Sequence, residues 1–442
     1  MPRIKFDMRF APLVFTVGYL MLTLAITVFG PVIYVGYDWP RVAAYLGAIC
    51  VSISIGYFLG VRRPMALPTR GSGISYTRFD RKIFQVVLAI SFLGLIYTLF
   101  EFLTSGAVNL DIGSVGRAYN DTYKYYEKNS GTYSFSFILY SLIAAPSFIV
   151  TIWGIYYLKY LNLLERGATL LVVFGAPVIF MLSAGQQKTI GDLIVYLSAI
   201  FILRAVIGGK SLNLKTVLII AAVGVAGLAM FNIILTQRYD AIGINAININ
   251  EREIDLVQYD TNHPVFKIFG FDLGFTLSIL CMYIGNGLVG LGYALKAPFT
   301  WSFMLGTAYP LSVIGDRVFG LPFAYEYTYP YVAAYSSGWG ESRWYSVFAW
   351  FASDFTFLGT IPIFGFFAYV YSRCWVESIR FANPFAILLF CLLTLGVVMM
   401  PANNQLMQTP GGLATLCVTV ALYLMFRRRY NRPSPFMGSA RL

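Results

Sequence analysis

Ten apolar runs of about 17 to 25 residues recur along this 442-residue chain, each long enough to cross roughly 30 Å of hydrocarbon as a helix. They fall near 11–36, 42–61, 83–105, 133–157, 168–184, 189–206, 214–236, 346–371, 381–400 and 411–426. Inside a bilayer every backbone N–H and C=O needs a partner within the protein, and a single segment meets that need only as a helix. The expectation is an all-α polytopic membrane protein of about ten transmembrane helices, forming one integral domain over 1–442. Composition agrees, because 58% hydrophobic and 12% charged residues, with a mean hydropathy of +0.68, are too apolar for an ordinary soluble domain. The first run is long enough to span and no small-residue cleavage site follows it, so no cleavable signal is expected.

The charges orient the runs. Arg3, Lys5 and Arg9 precede the first, Arg62, Arg63, Arg70, Arg78, Arg81 and Lys82 follow the second, and Arg427, Arg428 and Arg429 follow the last. The positive-inside rule then places both termini in the cytoplasm. On that topology the cytoplasmic side holds 21 of the 32 Lys and Arg and four of the 20 Asp and Glu, a net of +17, and the rest of the chain nets −5. The formal +12 therefore belongs to membrane orientation, and no nucleic-acid partner is expected. Two outer segments are large, 105–133 and 237–345.

The segment 271–295, FDLGFTLSILCMYIGNGLVGLGYAL, is apolar enough to be an eleventh span. Crossing would invert everything after it and put Arg373, Arg380 and Arg427–Arg429 outside. It is therefore expected to be interfacial or a re-entrant hairpin, and its five glycines, with Gly270 just before it, suit a broken helix better than a continuous one.

Several chemistries lack their motifs. Gly285 to Gly290 matches G-x-G-x-x-G but lies in an apolar segment, without the strand, turn and acidic residue of a dinucleotide site. No Walker A, H-E-x-x-H or D-x-D sequence is present, and the five cysteines show no paired spacing. Neither a metal nor a cofactor is expected.

The most informative stretch is 337–359, SGWGESRWYSVFAWFASDFTFLG, a polar aromatic loop leading into an apolar helix. Read as one continuous helix, it puts Arg343 and Asp354 on nearly the same face and sinks Asp354 about 12 Å below the outer interface. An ionisable residue at such depth needs a partner or a cavity; the plainer alternative is that Asp354 bonds a neighbouring helix or caps a kink. Glu341, in the loop at the mouth, is better placed to reach a sugar hydroxyl, so Glu341 is the first candidate for a base, ahead of Asp354. His263, the only histidine, is a third candidate, although a lone loop histidine more often serves as a hydrogen bonder.

Among the eleven Lys and Arg outside the cytoplasmic segments, five are the most informative: Arg117, Lys188, Arg238, Arg317 and Arg343. Converging on one mouth they would bind a diphosphate, arginine through its planar fork and lysine as a compact charge; separately they would be solvated or salt-bridged loop residues. Tyr325, Tyr327, Trp339 and Tyr345 offer amphipathic rings that pack on sugar faces, and the same rings also populate interfacial belts.

The AGQQKTIGDLI turn between the fifth and sixth runs, TQRYDA after the seventh and RWYSVFAWFASDFTFLGTIPIFG at the eighth resemble bacterial oligosaccharide repeat-unit polymerases of the Wzy, or O-antigen polymerase, type. Where many relatives carry S-G-x-R at the first of these turns, this chain has Ala184-Gly185-Gln186-Gln187-Lys188, so the cationic role would fall to Lys188. The late motif reads Asp354-Phe-Thr in place of Asp-Phe-Gly. The resemblance implies a membrane-embedded glycosyltransferase on the periplasmic face of the bacterial inner membrane, acting in lipopolysaccharide or other surface-polysaccharide synthesis. Its substrates would be undecaprenyl-diphosphate-linked glycans, and its protein partners a chain-length regulator and a flippase. The alternatives are an O-antigen ligase, moving the finished glycan from undecaprenyl diphosphate to lipid A core, or another lipid-dependent glycosyltransferase, and a flippase for lipid-linked oligosaccharides.

The orientation is testable by cysteine labelling. Residues near Pro298 are expected to react from the outer face and residues near Glu377 from the cytoplasm; a cytoplasmic 298 would remove the ten-span topology.

Overall fold

The computed structural model describes residues 7–62, 78–104, 135–184, 187–207, 229, 232–239, 243, 256–341 and 343–430. The chain is an all-α membrane protein, with one two-stranded sheet among the described residues. The helices are α1 (Ala11–Phe29), α2 (Trp39–Val61), α3 (Arg78–Thr104) and α4 (Phe135–Tyr156). α5 (Leu163–Leu170) runs through a π-helical turn, Leu171–Gly175, into α6 (Ala176–Ala184), and α7 is Lys188–Ile207. After them come α8 (Pro264–Ala294), α9 (Tyr309–Phe319), α10 (Tyr329–Ser337), α11 (Val347–Phe381), α12 (Pro384–Met399) and α13 (Pro410–Tyr430). Among the described residues, eight helical stretches, α8 among them, are long and apolar enough to cross a membrane, and Ser141–Tyr156 and Pro384–Met399 are shorter apolar helices. The run expected at 214–236 lies almost wholly outside the described residues.

One end of the bundle gathers the starts of α1, α3, α5 and α12 with the ends of α2, α4, α7, α11 and α13. Trp375 donates to the Met8 carbonyl, Tyr57 to that of Arg9, Trp153 to that of Pro384 and Arg204 to that of Ile155. Of the orienting arginines, Arg9, Arg81 and Arg427 stand at this end. Arg81 pairs with the buried Glu165 at 3.3 Å, and the fully buried Glu377 takes Arg373 at 3.1 Å, Arg427 at 2.6 Å and the Tyr423 hydroxyl at 3.0 Å. A carboxylate so deep persists because each oxygen has a donor. The opposite end carries the loops.

α2 and α11 run side by side in the same direction. Ser52 donates to the Ile361 carbonyl, a Cβ on Gly56 would overlap the Gly365 carbonyl, and one on Gly60 would overlap Ser372. Small residues let the two backbones touch, as in membrane helix pairs generally.

Three sequence expectations change. The first run does not reach residue 36: Pro31 biases Gly30 to an extended conformation, α1 stops at Phe29, and β1 (Val32–Tyr34) pairs antiparallel with β2 (Val257–Tyr259). Next, 271–295 holds no hairpin turn. Its helix is unbroken from 271 to Ala294, the only break in α8 being Gly270 at φ 76°, and its inner glycines serve close approach; a Cβ on Gly287 would strike the carbonyls of Pro401 and Ala402. Along its length α8 meets the loop end of the bundle: Thr27 and Tyr34 at Gly285, Ser346 at Gly287, Val35 at Tyr293 and Gly36 at Lys296.

The third change concerns the stretch 337–359. α11 begins only at Val347 and breaks at Thr356, whose φ of 62° is rare for a β-branched residue. In a straight helix Phe348 and Phe364 would lie about 24 Å apart. Their ring centroids are 4.8 Å apart, and Phe351 packs on both Phe364 and Phe367. The first nine residues of α11 therefore fold back along the rest. Asp354 sits beside the turn of this helical hairpin, so it is not three turns below Arg343, and Arg343 is not on the helix at all.

Replacement of Gly56 by Val should overpack the α2–α11 contact and cost roughly 1–3 kcal/mol, lowering the melting temperature in detergent, whereas Gly18→Val, with open space at its Cβ, should change it little. Arg427→Leu should destabilise more, by about 3–5 kcal/mol, because it strips a buried carboxylate of a partner.

Candidate functional site

At the loop end a polar cavity of about 350 Å³ is lined by Tyr309, Tyr325, Glu341, Arg343, Trp344, Tyr345, Trp350, Asn403 and Gln408. Four separate parts of the chain build it: the start of α9, the 3₁₀ turn Ala324–Tyr327, the loop before α11 with its folded-back first helix, and the loop after α12. Gly338 and Gly340, both at positive φ, end α10 and turn the chain so that Glu341, Arg343, Trp344 and Tyr345 face one space.

Glu341 accepts hydrogen bonds from the Tyr335 hydroxyl and, at 3.4 Å, from that of Tyr325. Burial, and then the Glu341 carboxylate, push the Tyr325 phenol above its ordinary range; the hydrogen bond to Glu341 does the same to exposed Tyr335. Both phenols therefore stay protonated and donating at neutral pH. The Arg343 guanidinium lies 5.0 Å over the Trp339 ring. Trp339 is fully buried against Tyr34 and Tyr293; it serves as the platform under Arg343, and no sugar face can stack on it. Tyr325 meets the rings of Tyr309, Tyr331 and Trp350 at 5.2, 5.5 and 6.1 Å, an aromatic wall around the carboxylate. Trp350 Nε1 and Gln408 Nε2, on two residues of the cavity wall, are buried and have no hydrogen-bond partner among the described residues.

The remaining candidates stand elsewhere. Asp354 lines no cavity described here. It is 7% exposed and accepts from Ser302 Oγ at 2.5 Å, Gly306 N at 3.4 Å, Thr307 N at 2.8 Å and Thr307 Oγ1 at 2.6 Å. Thr307 in turn receives Asn404 Nδ2 on its carbonyl at 2.6 Å. Asp354 thus organises the loop 302–307 and, through it, the loop after α12. His263 caps α8: its Nδ1 faces Val265 N at 3.3 Å and its Nε2 faces the Phe29 carbonyl at 3.2 Å, an arrangement that uses both ring nitrogens. Arg317 lies in the last turn of α9, where it and Glu341 act in opposite senses on the Tyr309 phenol. Tyr327 packs on Phe303. Arg238 belongs to the helical residues 232–239, which meet α8 through Asn232–Thr276 and Tyr239–Phe275. Arg117 lies outside the described residues.

Lys188 lines a second polar cavity of about 280 Å³, with Thr189, Asp192, Tyr196, Gln405 and Thr409 among its walls. A narrow apolar cleft of about 80 Å³ runs between α1, α2, both arms of α11 and α12, past Phe351, Phe364, Tyr371 and Leu393, to Asn403 and Gln405. It shares Asn403 with the first cavity and Gln405 and Leu406 with the second. Sequence reading missed this meeting point. Its one signal was the amide run Asn403, Asn404, Gln405, Gln408 between two apolar helices.

No protein-family model, curated protein or solved structure matches the chain.

Asp354→Asn keeps one acceptor oxygen and turns an amide toward the loop donors. It should cost roughly 3–6 kcal/mol, about the loss of two hydrogen bonds to a charged group, and speed hydrogen exchange at Gly306 and Thr307. Glu341→Gln should leave those amides unchanged.

Proposed function

We propose that this protein is a membrane-embedded glycosyltransferase that extends a polyprenyl-diphosphate-linked glycan, a repeat-unit polymerase of bacterial surface polysaccharide. The observation that carries the reading is one cavity that holds a carboxylate, a guanidinium and an aromatic wall, and that adjoins an apolar cleft at Asn403. A lipid-linked saccharide has these same three parts: a hydroxylated glycan, a diphosphate and a hydrocarbon chain. The basic end of the bundle is read as cytoplasmic by the positive-inside rule, which puts the cavity on the periplasmic side of the inner membrane, with α8 lying along that interface.

In this reading the donor's saccharide packs on Tyr325, Tyr309 and Trp350, and its diphosphate lies against Arg343. An acceptor hydroxyl oxygen attacks the donor's anomeric carbon. The new glycosidic bond forms while the anomeric bond to the diphosphate oxygen breaks, its electron pair leaving with the lipid diphosphate. Glu341 takes the hydroxyl proton, and Arg343 stabilises the charge that develops on the leaving group. The hydrogen bonds from Tyr335 and Tyr325 hold the Glu341 carboxylate in place for that transfer. Asp354 is a positioning residue.

In a strain lacking the gene, surface polysaccharide is expected to stop at a single capped repeat. A complete loss of glycan from the surface would indicate a ligase, and lipid-linked units stalled inside a flippase. Glu341→Gln, returned to that strain, should abolish extension at normal protein level, by at least about 100-fold if it removes general-base catalysis, and Arg343→Lys should rescue poorly because the fork is lost. Asp354→Asn should retain partial activity. A fully active Glu341→Gln would remove the assignment.

A further inference from the structure

The second cavity, between α4, α6, α7, α12 and α13, has no part in the reading above, yet its interior is not that of a packed helical bundle. Asp192 Oδ1 and Thr189 Oγ1, one turn apart at the start of α7, are buried with no hydrogen-bond partner among the described residues. The other Asp192 oxygen is 3.8 Å from Lys188 Nζ and 3.4 Å from Gln405 Nε2. Buried polar atoms are nearly always satisfied, and a carboxylate within a membrane bundle is kept where it faces a partner or a cavity. Here Asp192 and Thr189 line a cavity of about 280 Å³ whose floor is apolar, with Phe148, Val172 and Leu392. Lys188 is half exposed.

The available groups set the chemistry of the occupant. A carboxylate oxygen accepts a hydroxyl proton, the Thr189 hydroxyl both donates and accepts, and Gln405 adds an amide; together they match the hydroxyls of a saccharide. Lys188 supplies one compact positive charge at the rim, and the floor accepts hydrocarbon. This second set of parts again fits a lipid-linked saccharide. The two polar cavities lie on either side of a single loop: Asn403 and Gln408 face the first, Gln405 and Thr409 the second. Gln408 and Thr409 are consecutive, with Cα atoms about 3.8 Å apart.

We propose that the Asp192 cavity binds the acceptor, the lipid-linked saccharide whose hydroxyl attacks, while the Glu341 cavity binds the donor; the assignment rests on the glycosyltransferase reading. The difference between the cations supports this division. The donor's diphosphate must accept an electron pair, and its cavity has the guanidinium. The acceptor's diphosphate stays bonded to its sugar throughout, and needs only the counter-charge that Lys188 provides.

The test is equilibrium binding of a farnesyl-diphosphate-linked N-acetylglucosamine to the full chain in lipid nanodiscs. Two saturable sites per chain are expected. Asp192→Asn and Thr189→Val should each weaken one of them about ten-fold, the scale of one lost charge-assisted hydrogen bond, and Arg343→Gln should weaken the other. Farnesyl diphosphate without the sugar should bind the Asp192 site about ten-fold more weakly than the glycosylated probe. Thr189→Val preserves volume and guards against misfolding of Asp192→Asn; it is scored on protein whose melting temperature matches the wild type. One site per chain, lost in Arg343→Gln and indifferent to both α7 variants, would overturn the acceptor cavity and leave the glycosyltransferase reading standing. No saturable binding at either site would overturn both.

Discussion

The loop after α12, which lines the candidate site, depends on one buried carboxylate. Asp354 lies beside the turn where α11 reverses, and four hydrogen bonds tie it to Ser302, Gly306 and Thr307. Burying a carboxylate is costly unless its lone pairs are filled, and here backbone N–H groups and hydroxyls fill them. Those bonds hold Phe303 and Met304 at positive φ, a conformation that costs non-glycine residues on the order of 1–3 kcal/mol each. They also present the Thr307 carbonyl to Asn404. The loop that separates the two polar cavities is thereby fixed to the turn of the helical hairpin, and the chemistry can sit in Glu341 and Arg343 while the geometry is set by a residue that touches neither.

The folded-back arm of α11 has a second effect. By laying Phe348 and Phe351 along Phe364 and Phe367, it opens an apolar cleft beside the arm and carries Trp350 into the polar cavity above. Polar and apolar binding surfaces then meet within a few residues of Asn403. A straight helix would have kept them apart by its own length. The α2–α11 contact supplies the rigid wall for this arrangement, since Gly56, Gly60 and Gly365 let the two backbones pack without intervening side chains.

At the other end, the buried Glu377 draws Arg373 and Arg427 into the bundle. The charges that orient the chain in a membrane thus also lock α11 to α13. The two ends differ in kind: one is closed by ion pairs, and the other is built of aromatic rings, hydroxyls and amides around open space.

How much of this was legible in the sequence follows from the range of the interactions. Helix positions were legible from hydrocarbon-length apolar runs, while the stop at Pro31 and the start at Asn383 and Pro384 were passed over by runs drawn from apolarity alone. The clustering of arginine at one end follows from their spacing along the chain, and Glu341, Arg343, Tyr325 and Tyr345 stood out as polar or amphipathic groups beside an apolar helix. The reversal at Thr356 was not legible, because a threonine at positive φ is unfavourable locally and exists only through bonds from residues about fifty positions away. For the same reason the sequence could suggest that Asp354 needed a partner but not that the partner was a loop. Trp339 reads as a sugar platform from its position and becomes a buried support for Arg343 only once Tyr34 and Tyr293 close over it. Gln405 and Gln408 carried no motif, and Asp192, although it stands in the AGQQKTIGDLI turn, was not singled out there, since amides and a lone carboxylate acquire meaning only when tertiary packing brings them to a cavity.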